Sequence, residues 1–150
     1  MRALIQRAAG AQCVIAGEVH SQIGRGYLVL IGIETGDTEE DADYLAGKVA
    51  NLRVLADGEG KLNLSPLQTG AEILLVSQFT LSADCRKGNR PSFTAAMAPG
   101  EAEPLYEYFA DRLRGLGVSR VATGVFGADM QLQFTNDGPV TIWMDTRTMR

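Results

Sequence analysis

A glycine–proline pair inside an alternating apolar and polar stretch restricts a chain sharply, because proline has no N–H for a sheet ladder and glycine has no Cβ. Here the pair is Gly138-Pro139, within Asn136-Asp-Gly-Pro-Val-Thr141. On its N-terminal side Met130, Leu132 and Phe134 alternate with Gln131, Gln133 and Thr135. On its C-terminal side Val140 to Met144 is a β-branched and aromatic run. Two strands are expected there, joined at a turn, an edge or a cis peptide. Read by residue type alone, Asn, Asp, Gly and Pro make an ordinary hairpin connection.

A second unusual stretch is Ala71-Glu-Ile-Leu-Leu-Val-Ser-Gln-Phe-Thr-Leu81. Ile73 to Val76 reads as a buried strand that runs without a break into Ser77-Gln-Phe-Thr80, placing three hydrogen-bonding side chains at its end. Such groups are paired internally or presented to a ligand, and the residues alone leave both open.

The rest of the chain supplies a scaffold. Arg2 to Arg7 and Gln12 to Ala16 read as short strands with Ala9-Gly10 between them, and Gly17-Glu18 as a turn. Tyr27-Leu-Val-Leu-Ile-Gly-Ile33 is continuously apolar, as in a strand buried on both faces. Thr38-Glu-Glu-Asp41 resembles a capping box, and Ala42, Leu45, Ala46, Val49 and Leu52 follow at helical spacing, which predicts an amphipathic helix over residues 38–52. Glu101-Ala-Glu-Pro104 opens a second helix with Leu105, Tyr108, Phe109 and Leu113 on its apolar face. Residues 118–126 and 128–135 read as further strands.

Composition bounds the chemistry. With 150 residues, 45% hydrophobic and 21% charged, the chain fits one domain with a core large enough to fold alone. Its first residues lack the apolar region of a signal peptide, and no apolar run approaches the roughly 20 residues of a membrane span. A soluble cytoplasmic protein that engages no membrane is expected. His20 is the only histidine, so a Ser-His-Asp arrangement would have to use it, and a His-rich metal site cannot be built. Cys13 and Cys85 lack the paired spacing of zinc ligands. Neither a metal nor a cofactor is expected. The net charge of −4 argues against a broad nucleic-acid groove but leaves room for contact with one RNA end. The stretch Ser82 to Gly100 is the most basic locally, with Arg86, Lys87 and Arg90 against Asp84, and reads as a solvated loop or a phosphate contact.

Together, Ser77-Gln-Phe-Thr-Leu81 and Asn136-Asp-Gly-Pro-Val-Thr141 resemble the paired signature of the D-aminoacyl-tRNA deacylases, the D-tyrosyl-tRNA deacylase family. Ala3-Leu-Ile-Gln-Arg7, Gly60-Lys-Leu-Asn-Leu64, Arg90-Pro-Ser-Phe93 and Ala128-Asp-Met-Gln131 extend the likeness over nearly the whole chain. The tail from Asp145 to Arg150 is the least similar part and is given no function.

The resemblance implies a single α+β domain over residues 1–150: a barrel-like, mostly antiparallel β-sheet with two main helices packed outside. It implies a homodimer with active sites at the subunit interface. The reaction would be hydrolysis of the ester between a D-amino acid, or glycine mischarged on tRNA-Ala, and the 3′-terminal adenosine of a tRNA. Ser77, Gln78, Phe79 and Thr80 match the active-site strand. Gly138 and Pro139 match a cis pair that reaches into the partner's site and excludes L side chains, and Arg7 a residue that holds the pair. Asn136, Met130, Arg90, Pro91, Ser92 and Phe93 fall among the substrate-binding positions. Thr80 is a tempting nucleophile, but the motif contains no base to activate it. The resemblance favours backbone N–H groups around Phe79 and Thr80 as an oxyanion site, with the tRNA's 2′-hydroxyl assisting water. Two rival readings remain: a small-ester hydrolase using Thr80, and a non-catalytic nucleic-acid-binding dimer using the Arg86, Lys87 and Arg90 loop.

Overall fold

Strand β1 (Arg2–Ile15) organises the fold, and the computed structural model describes all of residues 1–150. Ala9 and Gly10 do not interrupt it, contrary to the expectation of two short strands. Small residues there let the strand continue with Ala9 as an extra residue, since Ala8 pairs with Asn136 and Gly10 with Thr135. One edge of β1 pairs antiparallel with β3 (Gly26–Gly32) near its start and β2 (Glu18–Ile23) near its end.

Between β3 and the next member of the main sheet lie the small pair β4 (Leu55–Ala56) and β5 (Leu62–Leu64). Strand β6 (Glu72–Ser77) then runs parallel to β3, and β7 (Val121–Thr123) parallel to β6. The other edge of β1 is covered along its length by antiparallel β8 (Gln131–Asp145). The Ser21 hydroxyl donates to the Thr123 carbonyl at 2.8 Å, tying β2 to β7 and bringing the sheet toward closure. The result is the expected α+β, barrel-like sheet, with parallel pairs only at β3–β6–β7.

Two cores lie on the two faces of this sheet, as the apolar run of β3 requires. Tyr27, Val29 and Ile31 face the larger core beneath the helices, and Leu28 the smaller one with Cys13, Leu74 and Val76. Helix α1 (Glu39–Ala50) starts where the Thr38 N–H donates to the Asp41 carboxylate at 3.0 Å, and it buries Ala42, Leu45, Ala46 and Val49 as its spacing predicts. Helix α2 (Pro66–Thr69) is a single turn. Helix α3 (Pro99–Gly115) begins earlier than expected, so Pro104 lies inside it on the exposed side, where its missing N–H faces solvent. Its buried tyrosine is Tyr106, whose hydroxyl donates to the Leu75 carbonyl at 2.9 Å; Tyr108 is half-buried and bonds Asp43 instead. Helix α4 (Thr146–Met149) ends the chain. No helix is long and apolar enough to cross a membrane.

Two further expectations are corrected. Strand β6 stops at Ser77: the Gln78 N–H makes a last bond to the Ile31 carbonyl at 2.7 Å, and residues Phe79–Ser82 then wind into a 3-10 turn. This turn packs on Gly32, where an added Cβ would come within 2.9 Å of the Leu81 Cβ. Gly138-Pro139 is not a hairpin connection either. Gln6 pairs with Thr141 and Ala8 with Asn136, so residues 137–140 bulge outward opposite Arg7 alone, and β8 continues beyond them.

Candidate active site

The cleft forms where parallel strands β3 and β6 end together. In open parallel sheets ligand crevices lie beyond the carboxyl ends of the strands, and the parallel part of this sheet has such an end. A cavity of about 630 Å3 opens there, floored by Ile31, Ile33 and Val76 and rimmed by Ser77, Gln78 and Phe79. Phe93 and Met130 complete two of its walls. Phe79 is 58% exposed, and its ring meets that of Phe93 edge-on at 5.1 Å, making an apolar mouth. Of 18 lining residues 13 are hydrophobic, so polar contact falls to a few groups, among them Ser77, Gln78 and Asp129.

Those groups include no histidine and no cation. Local structure offers backbone donors instead. The first i→i+3 bond of the 3-10 turn is made by the Leu81 N–H to the Gln78 carbonyl at 3.2 Å, which leaves the preceding N–H groups of Phe79 and Thr80 as the unpaired donors that open such a turn. Thr80 itself is exposed and does not line the cavity. Its hydroxyl accepts from the Gln78 side-chain amide, a neutral partner that cannot act as a base.

The remaining substrate-binding candidates of this region, Arg90, Pro91 and Ser92, sit exposed on a hairpin-like excursion. Asp84 and Ser92 close its base through reciprocal backbone bonds of 2.8 and 2.9 Å. Arg86 grips the Asp84 carboxylate from its side chain and backbone, holding that carboxyl down at about 2. Of the local cations, Lys87 and Arg90 carry no ion-pair partner.

Arg7, Asn136, Gly138 and Pro139 form a separate group at the β8 bulge, and none of them lines the cleft of the same chain. Arg7 Nε donates to the Asp137 carbonyl at 2.7 Å, and its NH1 to the Val54 carbonyl at 2.8 Å. The Asn136 side-chain amide donates to the carbonyls of Arg7 and Val140 at 3.0 and 3.1 Å, closing both feet of the bulge. At its tip the Gly138-Pro139 peptide is cis, and both residues are exposed. A Cβ on Gly138 would lie 2.3 Å from the Val140 nitrogen, so this shape requires glycine.

Several residues that shape these groups were not singled out from the sequence. Gly32 seats the turn, Val54 anchors Arg7, and Arg2 reaches the Leu81 carbonyl at 2.9 Å. Only Gly32 carried a signal, as the one residue without a side chain in the apolar run from Tyr27 to Ile33.

Comparison with known proteins identifies the family. A family model described as D-Tyr-tRNA(Tyr) deacylase matches residues 4–145. A D-aminoacyl-tRNA deacylase of Thermus aquaticus is 56% identical over 146 residues, covering 97% of this chain and 95% of that protein. One from Thermomicrobium roseum is 52% identical over 150 residues, covering 100% and 97%. A solved structure described as c-Myc DNA Unwinding Element Binding Protein superposes with a TM-score of 0.92 at 42% identity, over 97% of this chain and 98% of its own. A probable eukaryotic D-amino acid tRNA deacylase shares the fold, with a TM-score of 0.84 at 19% identity, over 95% and 97%. With the family match spanning both the cleft and the bulge, the chain belongs to the D-Tyr-tRNA(Tyr) deacylase family.

Proposed function

We propose that the protein is a D-aminoacyl-tRNA deacylase, an editing hydrolase that cleaves the ester joining a D-amino acid, or glycine on tRNA-Ala, to the 3′-terminal adenosine of a tRNA. The observation that carries this reading is the pairing, in one chain, of a cleft rimmed by Ser77, Gln78 and Phe79 with an exposed Gly138-Pro139 bulge that stands outside that cleft. The more than 50% identity to named deacylases across the whole chain supports it.

In the proposed reaction the amino-acid moiety enters the apolar cleft and its ester carbonyl faces the turn. Water, assisted by the ribose 2′-hydroxyl, adds to the carbonyl carbon, and negative charge gathers on the carbonyl oxygen. The Phe79 and Thr80 N–H groups are fixed donors for that charge, and removing one such donor from a hydrolase typically costs about 2.7–4 kcal/mol of transition-state stabilisation. Collapse of the adduct breaks the bond to the 3′-oxygen, which takes up a proton, and releases the free amino acid and the tRNA. The catalytic stretch Ser77, Gln78, Phe79 and Thr80 acts here through main chain and shape rather than through an activated hydroxyl.

Chirality is read across a homodimer in this reading. The bulge stands exposed and away from its own cleft, so it is available to a partner's. Its rigid backbone beside the substrate Cα leaves room for hydrogen or a D side chain and collides with an L one. Arg7 and Asn136 hold the bulge, while Met130, Arg90, Pro91, Ser92 and Phe93 surround the terminal nucleotide and amino acid. The acidic protein then meets only the 3′ end of its tRNA, in the cytoplasm, where translation takes place.

The test is deacylation of D-tyrosyl-, glycyl- and L-tyrosyl-tRNA by the purified protein, alongside its sedimentation as monomer or dimer. Turnover of the D and glycyl esters with the L ester spared is the expected result. Equal D and L rates, or a monomer that still discriminates, would overturn the cross-subunit filter; absence of D turnover would overturn the activity.

A further inference from the structure

Arg2 lies outside the residues matched by the family model and takes no part in the reaction as proposed. Its guanidinium is nevertheless the only side chain from elsewhere in the chain that hydrogen-bonds to the 3-10 turn, through NH1 to the Leu81 carbonyl at 2.9 Å.

The contact follows from register. Arg2 pairs with Gly32 on β3 and with Asp145 on β8, and residues directly opposite one another share a face of the sheet. On one side the cross-strand neighbour is a carboxylate, and Arg2 Nε meets Asp145 Oδ2 at 3.0 Å. On the other side the neighbour has no side chain. Leu81 fills that space, and a Cβ on Gly32 would stand 2.9 Å from the Leu81 Cβ and 3.2 Å from the Gln78 carbonyl oxygen. The turn is therefore laid on bare β3 backbone within reach of Arg2.

The guanidinium is itself held. Glu34, 1% exposed, forms ion pairs with both arginines, one oxygen lying 2.9 Å from Arg2 NH1 and the other 2.8 Å from Arg147 NH1, without hydrogen-bond alignment to either. A planar fork held between two carboxylates is restrained, so the NH1 group that meets Leu81 has a defined direction. That direction meets a carbonyl at the C-terminal end of a short 3-10 turn, where carbonyls lack partners of their own and a positive charge is favoured. A four-residue turn of this kind has little intrinsic stability, so a fixed external donor decides its orientation.

We propose that Arg2 is a positioning residue for the active-site turn: by holding the Leu81 carbonyl, it sets the aim of the Phe79 and Thr80 N–H groups. This rests on the deacylase reading given above. Arg147 provides the internal control, since it pairs with the same buried Glu34 and does not touch the turn.

The experiment compares Arg2→Ala, Arg2→Lys and Arg147→Ala by steady-state deacylation of D-tyrosyl-tRNA and by amide hydrogen exchange of Leu81 and Ala83. Arg2→Ala should lower kcat by about 10- to 100-fold with KM little changed, as expected for misaligned donors. It should also speed exchange at both amides. Arg2→Lys keeps a charge for Glu34 and Asp145 but cannot span to Leu81 as well; it should fold and shift both readouts in the same direction, which keeps the test decisive should Arg2→Ala fail to fold. Arg147→Ala should lower the melting temperature and leave kcat and turn exchange at wild-type values. Wild-type kcat and exchange in Arg2→Lys, or equal kcat losses in the Arg2 and Arg147 variants, would overturn the proposal. A wild-type protein without D-ester turnover would sink the deacylase reading alone, because the exchange comparison still decides whether Arg2 holds the turn.

Discussion

The Arg7 guanidinium donates to the Asp137 carbonyl at 2.7 Å while its other arm donates to the Val54 carbonyl at 2.8 Å, so one side chain spans from the bulge to the β4 region. Its side chain is only 12% exposed, which makes these charge-assisted bonds expensive to lose. Arg7→Ala should destabilise the protein by about 3 kcal/mol, a fall of roughly 6–12 °C in a domain of this size, read by thermal unfolding. Release of L-tyrosine from L-tyrosyl-tRNA should rise in the surviving folded enzyme. Unchanged discrimination would separate Arg7 from the chiral filter.

Gly138→Ala tests the bulge at its exposed tip. The added Cβ would fall 2.3 Å from the Val140 nitrogen and 2.9 Å from a Val140 methyl, both too close to persist, so the tip must reshape. Because Gly138 is exposed, stability should fall by no more than about 1 kcal/mol while the D-over-L rate ratio drops by at least about tenfold. Parallel initial-rate assays on the two esters give the ratio directly.

How far the sequence could be read depended on whether the cause lay nearby. The apolar run of β3 and the Thr38–Asp41 cap were legible because both signals are local, and the helix buried the named face through Val49, with Leu52 falling beyond its end. The bulge was not legible as a bulge, since Asn136 and Gly138 look like hairpin residues until Arg7 is seen to stand alone against residues 137–140. Ser77 to Thr80 read as one strand because the turn beginning at Phe79 depends on a missing Cβ at Gly32. The tail carries no motif to mark it. Asp145 and Thr146 are nevertheless buried: the Met1 ammonium bonds Asp37 at 2.7 Å and Thr146 at 2.9 Å, closing the chain ends on each other. The division of the site residues between cleft and bulge came from the resemblance and not from residue pattern, because it is set by which strand ends meet.

Alkaline pH probes the scaffold beneath the cleft. Burial pushes the Tyr27 hydroxyl up to about 12 and raises that of Tyr106 as well. Each donates to a main-chain carbonyl, Tyr27 to Leu52 at 2.7 Å and Tyr106 to Leu75. The unfolded chain releases these protons first, so the native state binds more protons at high pH and stability falls as pH rises. The contribution is complete below about pH 10 and lost through about pH 12, on the order of 2 kcal/mol for Tyr27. Urea unfolding at successive pH values should show this decline, and Tyr27→Phe should flatten it while lowering stability at neutral pH. An equally steep decline in the variant would place the sensitivity elsewhere.

Thr80→Ala separates the two ways the cleft could work. A nucleophilic threonine needs a base, yet its hydroxyl meets only the Gln78 amide, and the single histidine lies on β2, exposed and outside the cleft. Replacing the side chain leaves the Phe79 and Thr80 N–H groups in place, because Gly32 packing, the Leu81 and Gln78 backbone bonds and the Arg2 contact to the Leu81 carbonyl do not use the Thr80 side chain. Single-turnover deacylation of D-tyrosyl-tRNA by Thr80→Ala should therefore stay within about tenfold of wild type, a loss of roughly 1.4 kcal/mol or less. A nucleophile's removal would instead abolish turnover with binding intact, and an acyl-enzyme trapped in the wild type would likewise point to the hydroxyl. Thr80→Pro, which removes the N–H that the alanine variant keeps, should lose far more activity than Thr80→Ala, on the scale of about 100-fold or more for one oxyanion donor. If the alanine and proline variants fall equally, the hydroxyl and not the backbone carries the reaction.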